Sequence, residues 1–147
     1  MDLVLDNNIV LDHIDRREPF YALSRKVCLL GVAEEANTYI SVNMLTDIYY
    51  LLRKDYGSQV AQDMIENNLS FLQLVGITPE DARKALAARW GDFEDCLVAR
   101  CAEKIKADYI VTRNVNDFAE SSVEAVTPEE LFARLERKGL VYEEVDW

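Results

Sequence analysis

The chain has 147 residues, half of them apolar, and a net charge of −11. That size and composition fit one globular domain over residues 1–147 and exclude a disordered chain. So acidic a balance opposes gripping nucleic acid through its phosphates alone, unless divalent cations reverse the local sign.

No apolar run approaches the roughly 20 residues needed to span a bilayer. Met1-Asp2-Leu3-Val4 lacks the basic start of a secretory leader. A cytoplasmic protein without a membrane anchor is expected, and the odd set Cys28, Cys96 and Cys101 reads as buried thiols in a reducing compartment.

In chain order, residues 2–6 are short, apolar and Val/Leu-rich and predict a first strand. A helix is expected over 9–14 with Asn8 as its cap, and a second from Pro19 to about residue 36. Residues 38–42 are β-rich and predict strand two. Asn43 then caps a helix to about residue 54, with Leu45, Ile48, Tyr49 and Leu52 at core spacing.

Gly57 separates that helix from another over 58–68, and a third strand falls within 69–77. Thr78-Pro79-Glu80-Asp81 is a strong helix start. Asp92 begins a helix to about residue 106. Strand four is expected at 109–112 and strand five at 123–126. Thr127-Pro128 opens the last helix, which stops before Gly139. Strands alternating with helices of this length imply a three-layer α/β/α sandwich around a mainly parallel, five-stranded sheet.

In such a sheet the ligand crevice lies outside the carboxyl ends of the strands. Asp6 ends the first strand, Asp95 sits in the first turn of the 92–106 helix, and Asp117 follows strand four. Asp47 lies in an early turn of the helix that Asn43 caps. Carboxylates converging at one edge repel each other unless they protonate or share a cation, so the pattern suggests a divalent metal site. Asp92 reads as the better helix cap and Asp95 as the better ligand. Asp12, six residues after Asp6, reads as a solvated charge. The single histidine, His13, reads as a surface residue, and Tyr49, Tyr50, Leu51 and Leu52 read as core.

Three segments carry a family likeness: Leu5-Asp6-Asn7-Asn8-Ile9-Val10-Leu11-Asp12, then Asp92-Phe93-Glu94-Asp95-Cys96-Leu97-Val98-Ala99, then Tyr109-Ile110-Val111-Thr112-Arg113-Asn114-Val115-Asn116-Asp117-Phe118. In this order and spacing the chain resembles PIN-domain ribonucleases, including the toxins of VapBC-type toxin–antitoxin pairs. The resemblance implies Mg²⁺- or Mn²⁺-dependent hydrolysis of RNA to 5′-phosphate and 3′-hydroxyl ends. It implies Asp6, Asp95 and Asp117 as metal ligands, with Asp47 and Asn114 completing the catalytic set. Asp47 stands where the family usually has glutamate, and Asn7 replaces the usual threonine or serine.

Arg89 and Arg113 are candidate phosphate contacts, and Trp90 could stack on a base or simply pack. The implied partners are RNA, a cognate antitoxin reaching the acidic crevice, and a second copy of the chain in a homodimer. The rival reading is a PIN-fold binding module without catalysis. A phosphorelay receiver is excluded because Val126 is followed by Thr127-Pro128 rather than lysine. A haloacid-dehalogenase-like phosphatase is excluded because Asn8 stands where a second aspartate is required.

Overall fold

A computed structural model describes residues 1–142. Its elements are β1 (Asp2–Leu5), α1 (Asn7–Ile14), α2 (Tyr21–Val32), β2 (Asn37–Ser41), α3 (Met44–Tyr56), α4 (Ser58–Asn68) and β3 (Leu72–Val75). They continue with α5 (Pro79–Ala88), α6 (Phe93–Lys104), β4 (Tyr109–Val111), a 3-10 turn (Val115–Phe118), β5 (Ala125–Val126) and α7 (Pro128–Arg137). The fold is the expected α/β/α sandwich. Among the described residues, no helix is long and apolar enough to cross a membrane.

The sheet is parallel throughout, in the order β3-β2-β1-β4-β5. β1 is its centre, pairing Leu3 with Thr38 on one side and Tyr109 on the other. A strand covered on both faces has no solvent side to give a polar alternation. Leu3, Val4 and Leu5 are accordingly all fully buried, which is why this stretch reads as an unbroken apolar run. The chain steps from β1 outward to β2 and β3, then returns to the other side of β1 for β4 and β5. The strand order therefore reverses between β1 and β4, and the crevice at their carboxyl ends is the switch point where α/β sheets bind ligands.

Local chemistry sets the helix starts. Thr78 and Thr127 each close a capping box, with Asp81 and Glu130 respectively, and each is followed by a proline at the first helical position. Asp81 carries more than its cap. Its buried carboxylate accepts from Arg100 Nη2 at 3.0 Å and Lys104 Nζ at 2.7 Å, tying α5 to α6. These donors, Lys104 first, hold its carboxyl well below the usual range. In α3, Met44, Ile48 and Leu52 recur every four residues and bury one stripe.

Several boundaries depart from expectation. Asp6, not Asn8, caps α1: its side chain accepts from the Asn7 N–H at 2.8 Å, so the helix begins two residues earlier. Pro19 precedes α2 rather than opening it, and that helix ends at Val32. Asn43 precedes α3 without capping it, because its side chain accepts from the Ser41 hydroxyl instead. Tyr50 and Leu51 are not core; they are 59% and 44% exposed on the outer side of α3. His13 is half-buried, its ring edge-on to Phe71 at 6.0 Å, and burial lowers its pKa.

Candidate active site

Asp6 lies just past the carboxyl end of β1, where its N–H donates to the Val111 carbonyl at 3.0 Å and extends the β1–β4 ladder by one rung. The side chain, 8% exposed, accepts from Thr112 Oγ1 at 2.8 Å and from Asn8 Nδ2 at 3.2 Å. Burial pushes its carboxyl up, and the Thr112 and Asn7 donors only partly oppose it; Asp117 and Asp92 push it further. Thr112 is itself held, because its hydroxyl accepts from the Asn114 N–H at 3.1 Å. One hydroxyl thus couples the first acid to the loop that carries Asn114 and Asp117.

Asp95 occupies the first turn of α6, below the Asp92 cap, whose carboxylate accepts from the Asp95 N–H at 3.1 Å. Burial and then the charges of Asp92, Asp6, Asp117 and Glu94 raise its carboxyl to about 7. A pocket of about 280 Å³ opens here, lined by Trp90, Gly91, Asp92, Asp95, Asn116, Asp117, Ala119 and Glu120. Asp6, Asp95 and Asp117, the three expected ligands, are therefore within electrostatic reach of one another at the switch point.

Asp47 is half-buried in the first turn of α3. It reaches the cluster through Glu94, whose carboxyl is raised first by Asp47 and then by burial, Asp92 and Asp6. The sequence divides this turn between Asp92 as cap and Asp95 as ligand and gives Glu94 no role of its own. In the fold its exposed carboxyl lies within electrostatic reach of Asp47, Asp92 and Asp6. The one signal for it was the density of Asp92-Phe93-Glu94-Asp95, which linear sequence does not divide three ways. Asn114 is exposed, and its backbone rather than its side chain makes the contact with Thr112.

The expected phosphate contacts separate. Arg89 is exposed at the end of α5 in a left-handed conformation, φ 55°, beside the pocket-lining Trp90. Arg113 is committed elsewhere. Its Nε lies 2.8 Å from Asp12 Oδ2, its Nη2 donates to Asp12 Oδ1 at 3.3 Å, and its guanidinium stacks on Phe20 at 3.9 Å. Asp12 is not a solvated charge but 0% exposed, with Ser24 donating at 3.2 Å as well. The pair ties α1 and α2 to the site loop one residue after Thr112. Arg113 is thus a positioning residue.

The donor set suits a hard divalent cation. All the converging side chains offer oxygen. The Asn8 Oδ1 next to Asp6 is buried without a hydrogen-bond partner among the described residues. Among the described residues, no group of three or more His, Cys, Asp or Glu side chains is gathered closely enough to hold a metal ion by itself. Magnesium takes one or two carboxylates directly and keeps several waters, so it requires no such group.

A PIN domain family model matches residues 2–116. The chain belongs to the PIN-domain family. Within it, the chain is 24% identical over 135 residues to Ribonuclease VapC1 of Aquifex aeolicus, covering 88% of this chain and 92% of that one. Its fold is similar to VapBC2 from Rickettsia felis bound to a promoter DNA fragment (TM-score 0.63, 21% identity, 86% of this chain and 98% of that one). A toxin–antitoxin complex from Klebsiella pneumoniae is equally similar (TM-score 0.63, 22% identity, 86% and 97%). Mycobacterium tuberculosis VapC20, a sarcin-ricin loop cleaving toxin, is similar at TM-score 0.59 and 12% identity, covering 74% of this chain and 86% of that one.

Proposed function

We propose that this PIN-domain protein is a toxin-type endoribonuclease that hydrolyses RNA phosphodiester bonds at the acidic pocket with Mg²⁺ or Mn²⁺. The observation that carries the reading is Asp95. Burial and then four other acids push its carboxyl to about 7, a perturbation of the kind concentrated at active sites. The relative named Ribonuclease VapC1 and the RNA-cleaving VapC20 support the same reading.

Asp6, Asp95 and Asp117 would hold the ion, one or two of them directly and the rest through its waters. Once bound, it would supply a nucleophilic water at neutral pH and neutralise charge developing on the phosphate oxygens. The remaining work belongs to the chain. Thr112 and the Asn7 N–H fix the Asp6 carboxylate, and the Asp12–Arg113 pair fixes the loop that presents Asn114 and Asp117. Glu94, one methylene longer than Asp47 and beside it, supplies the reach that an aspartate at 47 lacks. Arg89, exposed next to Trp90 in the chain, would meet an RNA phosphate at the pocket rim.

An antitoxin partner fits a second feature. Between α3 and α4 runs a groove of about 600 Å³ whose lining mixes Leu45, Tyr49, Ile65 and Leu69 with Thr46, Gln62 and Glu66. Tyr50, Leu51, Tyr56 and Val60 lie exposed on the same two helices. Exposed apolar side chains beside a groove suit an interaction surface, and the similar structure from Klebsiella pneumoniae is a toxin–antitoxin complex. Homodimerisation through helices belongs to the same proposal. The test is incubation of the purified chain with a defined RNA pool and Mn²⁺. Cleavage that vanishes with chelator and in Asp6→Asn supports the enzyme. Intact RNA under saturating Mn²⁺, with RNA binding retained, overturns it in favour of a binding module.

A further inference from the structure

A second cavity, of about 190 Å³, adjoins the acidic pocket. The two share the walls Trp90 and Glu120, and the second is completed by Lys84, Arg100, Glu103 and Ser121. Its side chains combine one aromatic face, two carboxylates and two cations. Trp90 is half-buried and packs both on the Ala85, Cys96 and Leu97 cluster and on the main core, so its indole is held in place. Lys84 pairs with Glu80 at 3.1 Å, both side chains more than half exposed, a pair that water readily opens. Arg100 spends Nη2 on Asp81, while its Nε is buried with no hydrogen-bond partner among the described residues.

From this juxtaposition we infer a base-binding subsite for guanine in the RNA substrate, one that rests on the ribonuclease reading and names what its neighbouring nucleotide is. Single-stranded bases are held by stacking on aromatic rings and by hydrogen bonds to their edges. Guanine presents two adjacent donors on one edge, N1–H and the N2 amine, which a carboxylate accepts side by side. It also presents O6 and N7, the acceptors that Lys and Arg recognise. Adenine and cytosine offer an amine without the neighbouring ring N–H, and uracil offers one N–H between two carbonyls that Glu103 and Glu120 repel. Glu103 and Glu120 would accept from the base edge while Lys84 in the same cavity offsets the phosphates, so the acidic wall selects rather than excludes. Because Trp90 borders both cavities, a base seated here places its own phosphate beside the acidic pocket.

The test has two arms. In a Trp147→Phe background Trp90 is the only indole left of the chain's two. Its fluorescence is titrated with GMP, AMP, CMP and UMP without divalent ion. GMP binds about tenfold or more tighter than the others, in keeping with one bidentate base contact, and the difference disappears in Glu103→Gln/Glu120→Gln. Cut sites are then mapped in a random RNA pool with Mn²⁺. Guanine is enriched at one fixed position beside the cut, and the enrichment falls in Glu103→Gln. Equal responses to the four nucleotides, or cuts without guanine enrichment, overturn the subsite and leave the ribonuclease reading intact. Selective GMP binding with no cleavage at all overturns the ribonuclease reading and leaves the guanine site standing.

Discussion

Replacing Asp95 by asparagine is expected to stabilise the metal-free protein while destroying its cleavage activity. An unfolded aspartate titrates near ~3.9, whereas burial and four neighbouring acids hold Asp95 near about 7. The folded state therefore binds this proton more tightly than the unfolded chain. Its contribution is fully present below about pH 4, is lost progressively as pH rises to about 7, and stays lost above that. A shift of about 3 units corresponds to an upper limit of about 4 kcal/mol at 1.36 kcal/mol per unit. Solvent screening at the half-buried side chain reduces that to about 2 kcal/mol. For a domain of this size that is about 4–8 °C in Tm.

Asparagine keeps the shape and removes the charge. Thermal melts of wild type and Asp95→Asn in chelator, from pH 4 to pH 8, should diverge with pH: matched near pH 4, and the variant about 2 kcal/mol more stable at pH 8. Adding Mg²⁺ at pH 8 should raise the wild-type Tm and leave the variant unmoved, since only a folded-state site gains from the ion. A variant less stable than wild type at pH 8, or a difference that does not change with pH, would refute the reasoning.

Thr112→Val removes the 2.8 Å donor to Asp6; the Asp6 carboxyl should titrate higher still and Mg²⁺ affinity should fall about tenfold or more, as for other groups that orient a ligand, read by the Mg²⁺ dependence of Tm. Arg113→Leu strands the fully buried Asp12 and should cost about 3–5 kcal/mol, whereas Asp12→Asn, leaving a half-buried arginine with Phe20 still under it, should cost less; urea denaturation of both orders them. Gly31→Ala brings a Cβ to 2.5 Å from Thr38 Oγ1, whose hydroxyl donates to the Phe71 carbonyl, and should cost about 1–3 kcal/mol by overpacking, seen as a lower urea midpoint.

What could be read from the sequence was local. The unbroken apolar run of β1, the Thr-Pro starts of α5 and α7, and the parallel α/β/α architecture all follow from period and caps. So does the placing of Asp6, Asp95 and Asp117 at one edge, because the edge is defined by where strands end. Pairs distant in sequence were not legible. Asp12 and Arg113 lie 101 residues apart, and nothing in either neighbourhood tells a solvated helix charge from a buried ion pair. Thr112 and Asp6 are similarly separated, by 106 residues. Glu94 escaped for a different reason: three acids in one helical turn can be told apart only by what faces each of them, and Asp47 comes from another helix.

RNA cleavage as a function of Mn²⁺ and of Asp6 tests the central claim most directly. A defined RNA pool is incubated with wild type and with Asp6→Asn, each with Mn²⁺ or with chelator. Cleavage by wild type that requires Mn²⁺ and is lost in Asp6→Asn is the predicted result. Cleavage that persists in chelator, or that survives intact in Asp6→Asn, would contradict it.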